Sequence, residues 1–375
     1  MSVENILLHL CTPVEWRSFL QVGAVAPPSL DEVGFVHLST PEQVALPAQR
    51  LFAGRTDLVL LVVDPDAVAK AGVEVRWEPG VPGDPESMRF PHAYGAVPAA
   101  AVLAVLPYRP GPDGFTAPEV PVPDASFRAA HWEPSLVRRA ADAEEPVTGG
   151  VAVRTSAYPA SRMHNLLLID RPHLTGADTV AAEADRALTA HGLHPVAQLS
   201  GLGADELAVA LATAGWRIQQ FDDLTAPAGP VAGGIADRVS EVELDVVRPV
   251  RAASWAATLP GATPEEIAQL VDREAGDARV VAIHHLAVLD GAAVVGTATL
   301  KRDGATAWID GMETAPAHRG RGHGRALLAR ARELAAEHGC DLVALGADVA
   351  DWPRDWYLRA GFTAAGTRFE ATGPG

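Results

Sequence analysis

Apolar positions in this 375-residue chain fall into short runs that alternate with helical periods. Residues 57–64, DLVLLVVD, are apolar without a break between two acids, the pattern of a central strand buried on both faces. Upstream, ILLHL (6–10) predicts a strand, and Thr12-Pro13 then supplies a cap and a first helical residue. FVHLS (35–39) predicts a further strand, residues 41–53 a helix capped by Thr40, and AVLAVLPY (101–108) a closing strand. In the last third, HHLAVL (284–289), AVVGTATL (293–300) and AWIDGMET (307–314) read as a meander with turns at Asp290-Gly291 and Asp303-Gly304. Pro316 ends the last strand, and HRGRGHGRALLARARELAAEHG (318–339) enters a long helix.

Two stretches dense in Pro and Gly, 107–124 and 225–237, read as linkers or surface loops. They divide the chain into segments 1–112, 122–226 and 246–375. The first should be a self-contained α+β unit, released by a cut within 109–122 because few contacts should cross that linker. The other two hold a repeat. ADTVAAEADRALTAHG (177–192) matches GRALLARARELAAEHG (324–339), each an alanine-rich helix ending in His-Gly. A short strand follows each (194–201 and 341–348), then a short helix closing on Gly215-Trp216 or Gly361-Phe362. The ordered series points to duplication.

Hydrophobic residues make up 48% and charged residues 21%, which excludes a disordered chain. The longest apolar stretches, near 97–107 and 286–300, are broken by Pro, Asp or Gly, so no membrane span is expected. MSVENILLHLCT lacks a basic n-region, and a soluble, cytoplasmic protein is expected. A net charge of −17 argues against a general nucleic-acid or anionic-membrane binder. Cys11 and Cys340 lie far apart, without the spacing of a disulfide framework or a zinc knuckle. Lys70 and Lys301 are the only lysines, a bias given no functional weight.

The chemistry concentrates after the meander. Arg319-Gly320-Arg321-Gly322-His323-Gly324 lies directly between strand and helix, where glycines let bare N–H groups approach an anion at the positive helix end. Arg319, Arg321, Arg325, Arg330 and Arg332 reverse the local charge of an acidic chain, as a polyphosphate ligand would favour. The loop fits neither the dinucleotide nor the Walker fingerprint.

Arg319-x-x-Gly322-x-Gly324, together with Trp356-Tyr357-Leu358-Arg359-Ala360-Gly361-Phe362, resembles the acyl-CoA pyrophosphate loop and closing element of the GNAT N-acetyltransferases. The resemblance covers 246–375 and implies an acetyl-CoA-dependent transfer to an amine, with no metal. The loop through Gly320, Arg321, His323 and Arg325 would hold the cofactor, and a backbone N–H near Met312 or Thr314 would polarise the thioester. Tyr357 would protonate the leaving sulfur. Asp310 and Glu313 are the candidate bases. Strand alternation puts them on opposite faces unless a bulge intervenes, with Asp310 slightly favoured. Ordered water could serve in place of either. The middle segment resembles a second copy without its chemistry: IDRPHLTGADTV (169–180) replaces the glycine loop, and Leu211 stands where the tyrosine would be. It would shape the acceptor cleft.

The first segment resembles the DUF952 family, small domains without an established activity. The resemblance rests on His9-Leu10-x-Thr12, Gly34-Phe35-Val36-His37-Leu38-Ser39-Thr40 with Gln43, Arg76-Trp77-Glu78, and Phe90-Pro91-His92-Ala93-Tyr94-Gly95. It implies an ADP-ribosyltransferase-like α+β fold and a NAD-type pocket lined by His9, His37, Ser39, Thr40 and His92. Histidines so spaced do not suggest a metal site.

The fold expected is therefore an ADP-ribosyltransferase-like α+β domain followed by two GNAT-like α/β halves, the second complete. The function expected is acetylation of a small-molecule or peptide amine. Acidic net charge would help to collect a cationic acceptor such as a polyamine. The alternative is a binding or sensory protein whose first domain takes NAD, ADP-ribose or a phosphorylated RNA end, or a second enzyme of ADP-ribosyl type. An RNA end is the only nucleic acid that would fit such a chain.

Overall fold

The structure, a computed structural model, describes residues 6–80, 88–231 and 235–374. Local signals near the start form as the sequence dictates. The helix Pro13–Val22 carries a full capping box, with Thr12 and Glu15 exchanging side-chain and backbone hydrogen bonds. The strand Leu58–Val63 is buried at every position and lies between Leu7–Cys11 and Val102–Tyr108 in an antiparallel sheet. Alternation divides its side chains between two cores. Val59, Leu61 and Val63 pack with Trp16, while Leu58, Leu60 and Val62 pack with Phe115 and Phe127.

Two expectations shift here. The expected helix at 41–53 narrows to Ala45–Leu51, and Thr40 does not cap it; its backbone N–H instead donates to Gln43 Oε1. FVHLS is strand only at Val36–His37, with a bridge from Leu8 to Ser39.

The remaining two segments build one sheet of eleven strands. From one edge run Val239–Val242, Ala282–Asp290, Ala293–Asp303, Thr306–Thr314 and Leu342–Asp348. From the other run Ala143–Val147, Gly150–Arg154, Leu166–Ile169 and Val196–Leu199. Arg217–Pro227 and Thr363–Thr372 join the two groups. The middle-segment strand Arg217–Pro227 pairs on both sides with strands of the third segment, and the C-terminal strand Thr363–Thr372 reaches past it to Val196–Leu199. Each half thus completes its sheet with a strand from the other. Thr225, Ala226 and Pro227 belong to that crossing strand, so the expected seam at 225–237 begins inside the sheet; residues 232–234 of it lie outside the described residues. Helix, strand, helix, Gly-aromatic and strand recur in the same order in both halves, as the repeat implies.

The first domain is docked, not tethered. Trp16, fully buried, donates its indole N–H to Asp303 Oδ1 (2.6 Å), and Arg139 of the helix Ala125–Ala140 closes an ion pair on the same carboxylate. Arg17 Nε donates to the Ala278 carbonyl (2.8 Å), the Ala305 N–H to the Val102 carbonyl (2.7 Å), and Thr306 Oγ1 to the Leu103 carbonyl (2.9 Å). Gly304 sits so close that an added Cβ would lie 2.3 Å from the Val102 carbonyl oxygen. The turn at Asp303-Gly304 exists as expected, but it is buried against the first domain. Many contacts cross here, contrary to the expectation of an easily released unit.

Candidate active site

The bulge decides the geometry. Thr299 pairs with Asp310 but Thr297 pairs with Glu313, so one extra residue is inserted in the strand Thr306–Thr314, and Gly311 takes φ 58°. Plain alternation fails, and Asp310 and Glu313 both face one cleft of about 890 Å³. The cleft is walled by Trp255, Leu259 and Arg273 of the third segment and by Arg162, Met163 and His194 of the middle one. Glu313 and Met312 also line a second cleft of about 490 Å³ on the helix side, so the two clefts meet at the bulge.

That second cleft collects most of the expected residues: Thr314, Arg319, Gly320, Gly322, His323, Gly324, Arg325 and Tyr357. Gly320 and Gly322 have φ of 75° and 84°, left-handed conformations that side chains disfavour. Gly322 is the N-cap of the helix His323–Glu337, and no side chain caps it. The first N–H groups of a fifteen-residue helix therefore point into the cleft with the positive end of its dipole. Three arginines depart from expectation. Arg321 lies outside the lining and donates to the Ala317 carbonyl, Arg330 is paired with Glu337, and Arg332 donates to the Pro227 carbonyl. Sequence reasoning missed Trp352 and Pro353 in the lining and left Trp356 as motif context; an aromatic at a short helix start gives no local sign of the wall it faces.

Tyr357 donates to Met312 Sδ (3.5 Å) and packs edge-on against Phe362. Burial, then the nearby Asp310 charge, pushes its hydroxyl up to about 12, so it holds its proton at neutral pH. It is packed and carries a proton it could give.

Asp310 fares worse as a base. Burial works against its charge, but Lys301 at 3.0 Å and then Arg273 overcome this and hold the carboxyl well below its ordinary range. Its second oxygen accepts the Gly311 N–H (2.7 Å). A carboxylate so stabilised takes up protons poorly. Glu313 forms no ion pair among the described residues and stands where the two clefts join, which reverses the slight preference for Asp310.

Lys301, disregarded in the sequence, holds this wall together. It is buried and bridges Asp310 and Asp277 (3.0 Å each); Asp277 accepts from His164 (2.9 Å), which bonds Ser161 (2.8 Å). The chain runs from the cleft into the middle segment and couples the two halves. Burial opposes ionisation of Asp277, yet Lys301 and then His164 bring it to about 2 from 3.8. A depressed carboxyl stabilises the fold above its unfolded pKa, and that contribution disappears as pH falls through the folded value. The wild type should therefore lose stability between about pH 4 and pH 2. Lys301→Met should flatten that part of the profile in acid titrations followed by circular dichroism; an unchanged profile would remove Lys301 from this role.

In the middle half, Leu211, opposite Tyr357 in the repeat, is fully buried in core, and residues 172–174 form a short 3₁₀ turn in place of the glycine loop. The expected first-domain residues His9, His37, Ser39 and His92 converge on one pocket, whereas Thr40 is not among its lining residues.

Comparison with known families matches residues 250–362 to the acetyltransferase (GNAT) family. The chain carries a GNAT-family domain. Residues 10–105 match DUF952, a family of unknown function. Among solved structures, a GCN5-related N-acetyltransferase from Kribbella flavida is 17% identical, with 67% of this chain and 96% of that chain covered and a TM-score of 0.47. A conserved protein of unknown function from Staphylococcus epidermidis is 13% identical, with coverages of 61% and 92% and a TM-score of 0.48. Protein CC0527 from Caulobacter crescentus is 26% identical, covering 30% of this chain and 92% of its own, with a TM-score of 0.26. No curated protein matches the chain. Among the described residues, the GNAT-bearing chain has no helix long and apolar enough to cross a membrane.

Proposed function

We propose that the chain is an acetyl-CoA-dependent N-acyltransferase, with its catalytic machinery in 246–375 and with 122–226 as a non-catalytic half that walls the acceptor cleft. The observation that carries this is the meeting, at one bulged strand, of an uncapped helix start, a protonated tyrosine and an unpaired carboxylate.

The loop fits a pyrophosphate. The open N–H groups after Gly322 are unfilled donors, and Arg319 and Arg325 flank them. With acetyl-CoA there, the amine nitrogen attacks the thioester carbonyl carbon and the C–S bond breaks. Tyr357 gives its proton to the leaving sulfur. Glu313, directly or through water, takes the proton that the amine loses. The backbone N–H groups at the bulge, near Met312, stabilise the oxyanion.

The acceptor cleft mixes signs. Glu266, Glu313 and Glu370 share it with Arg162 and Arg273, so a small-molecule or peptide amine with both polar and apolar parts suits it better than a polycation. Thiol release from acetyl-CoA should appear with members of a panel of amino acids, short peptides, aminoglycosides and polyamines. Spermidine should be a poorer acceptor than amino acids or peptides. Absence of amine-dependent release across the whole panel would count against the function.

A further inference from the structure

The first domain holds a pocket of about 400 Å³, remote in sequence from the acyl-transfer residues and unused by that chemistry. Its walls are largely apolar, with Phe19, Phe52 and Phe90 among them. His9 and His92 are both almost wholly buried, and both line it.

Their partners fix which ring nitrogen keeps a free lone pair. His9 Nδ1 lies 2.9 Å from the His37 carbonyl, which can only accept, so Nδ1 carries the proton. His92 Nδ1 lies 3.3 Å from the Glu78 carboxylate, which also accepts the Tyr94 hydroxyl (2.8 Å), so there too Nδ1 donates. An imidazole that donates from Nδ1 carries its free lone pair on Nε2. His92 Nε2 is enclosed and has no hydrogen-bond partner. A buried polar atom in that condition costs stability unless something satisfies it.

Phe35 stacks on the His92 ring at 4.0 Å and meets His37 edge-on, which locks the rings in place. Burial lowers the pKa of His9, and burial followed by His92 lowers that of His37, so neither offers a positive charge at neutral pH. Glu15 lines the same wall with its carboxylate taken up by the Thr12 cap, and Arg50 on that wall already has a partner. Neutral imidazoles that present lone pairs repel phosphate. No group of three or more His, Cys, Asp or Glu among the described residues could hold a metal ion.

We propose that this pocket is a second ligand site, for a neutral aromatic molecule that donates an O–H or N–H hydrogen bond to Nε2 of one of the lining histidines, His9 or His92. A nucleotide bound through its phosphates is the wrong chemistry for it. The size suits one small molecule with its body against the phenylalanines.

The test uses the full chain labelled with 15N at histidine. The donor probes are 2-naphthol and indole; 2-methoxynaphthalene and 1-methylindole are the same bodies without the donor, and 2-naphthyl phosphate is the anion. Each donor probe carries one donor hydrogen, so it should shift the Nε2 resonance of one of the two histidines and bind about tenfold tighter than its methylated counterpart, the worth of one well-made hydrogen bond. Loss of the accepting histidine, by His9→Leu or by His92→Leu, should remove that preference, and the wild-type spectra stand even where a His92 variant does not fold. Equal binding of the methylated probes, tighter binding of the phosphate, or unmoved histidine resonances with both donors would each overturn the proposal.

Discussion

Replacing Tyr357 by Phe is expected to lower turnover by about 10²-fold while leaving acetyl-CoA affinity nearly unchanged. The ring keeps its packing on Phe362 and Trp356, so the fold loses only a weak O–H to sulfur contact with Met312. What disappears is the proton that the leaving sulfur needs. Burial keeps the hydroxyl protonated up to about 12, so a rate that depends on it should not fall until pH approaches that value. Glu313→Gln should separate the two ends of the reaction by slowing amine attack without altering the alkaline limb. Steady-state rates with a good acceptor, across pH, are the measurement. Unchanged turnover in Tyr357→Phe would leave the tyrosine as a packing residue only.

Asp303→Ala should destabilise the chain by about 3–5 kcal/mol, because it leaves a buried guanidinium without its counter-charge. The Arg139 side chain is completely enclosed, and its other bonds go to Ser135 and the Val280 carbonyl, neither of which carries charge. Trp16→Phe should also destabilise the chain, since it removes a hydrogen bond to a carboxylate, on the order of 1.5–3 kcal/mol, and leaves a cavity where the larger indole packed. The two substitutions share one partner, so the double variant should cost less than their sum. Thermal and urea unfolding of the full chain would read this. Wild-type stability in Asp303→Ala would mean that the first domain is not docked as described.

What was legible in the sequence was local. Thr12, Pro13 and Glu15 start a helix because all three partners lie within one turn. Residues 57–64 announce a central strand because burial on both faces needs no information beyond the run itself. Asp290-Gly291 and Asp303-Gly304 are turns for equally local reasons. Arg319 and Gly322 are legible as a glycine- and arginine-rich loop between strand and helix, and Tyr357 only through its resemblance to the GNAT closing element; the structure brings all three to one cleft.

The rest depended on distant chain. Asp303 is buried by Trp16 and Arg139, 287 and 164 residues away, which no turn signal contains. Arg217–Pro227 looked like the end of one segment because its two partners are both supplied by the other. Asp310 reads as a fair base from its strand alone, but Lys301 bridges it to Asp277; one of only two lysines in an arginine-rich chain was the available signal. The bulge at Gly311 decided the placement of Glu313, and a single glycine in a strand only hints at it.

Calorimetric titration of the full chain with acetyl-CoA tests the central claim most directly. One site per chain is expected, because among the described residues only the third segment sets a run of glycines and arginines before an uncapped helix. The middle half's helix also starts uncapped, at Gly176, but without that loop. Gly322→Asp should abolish the site. That substitution places a carboxylate where the pyrophosphate would lie and a side chain at φ 84°. Two equivalent sites, or full binding by Gly322→Asp, would contradict a single acyl-CoA site at this loop.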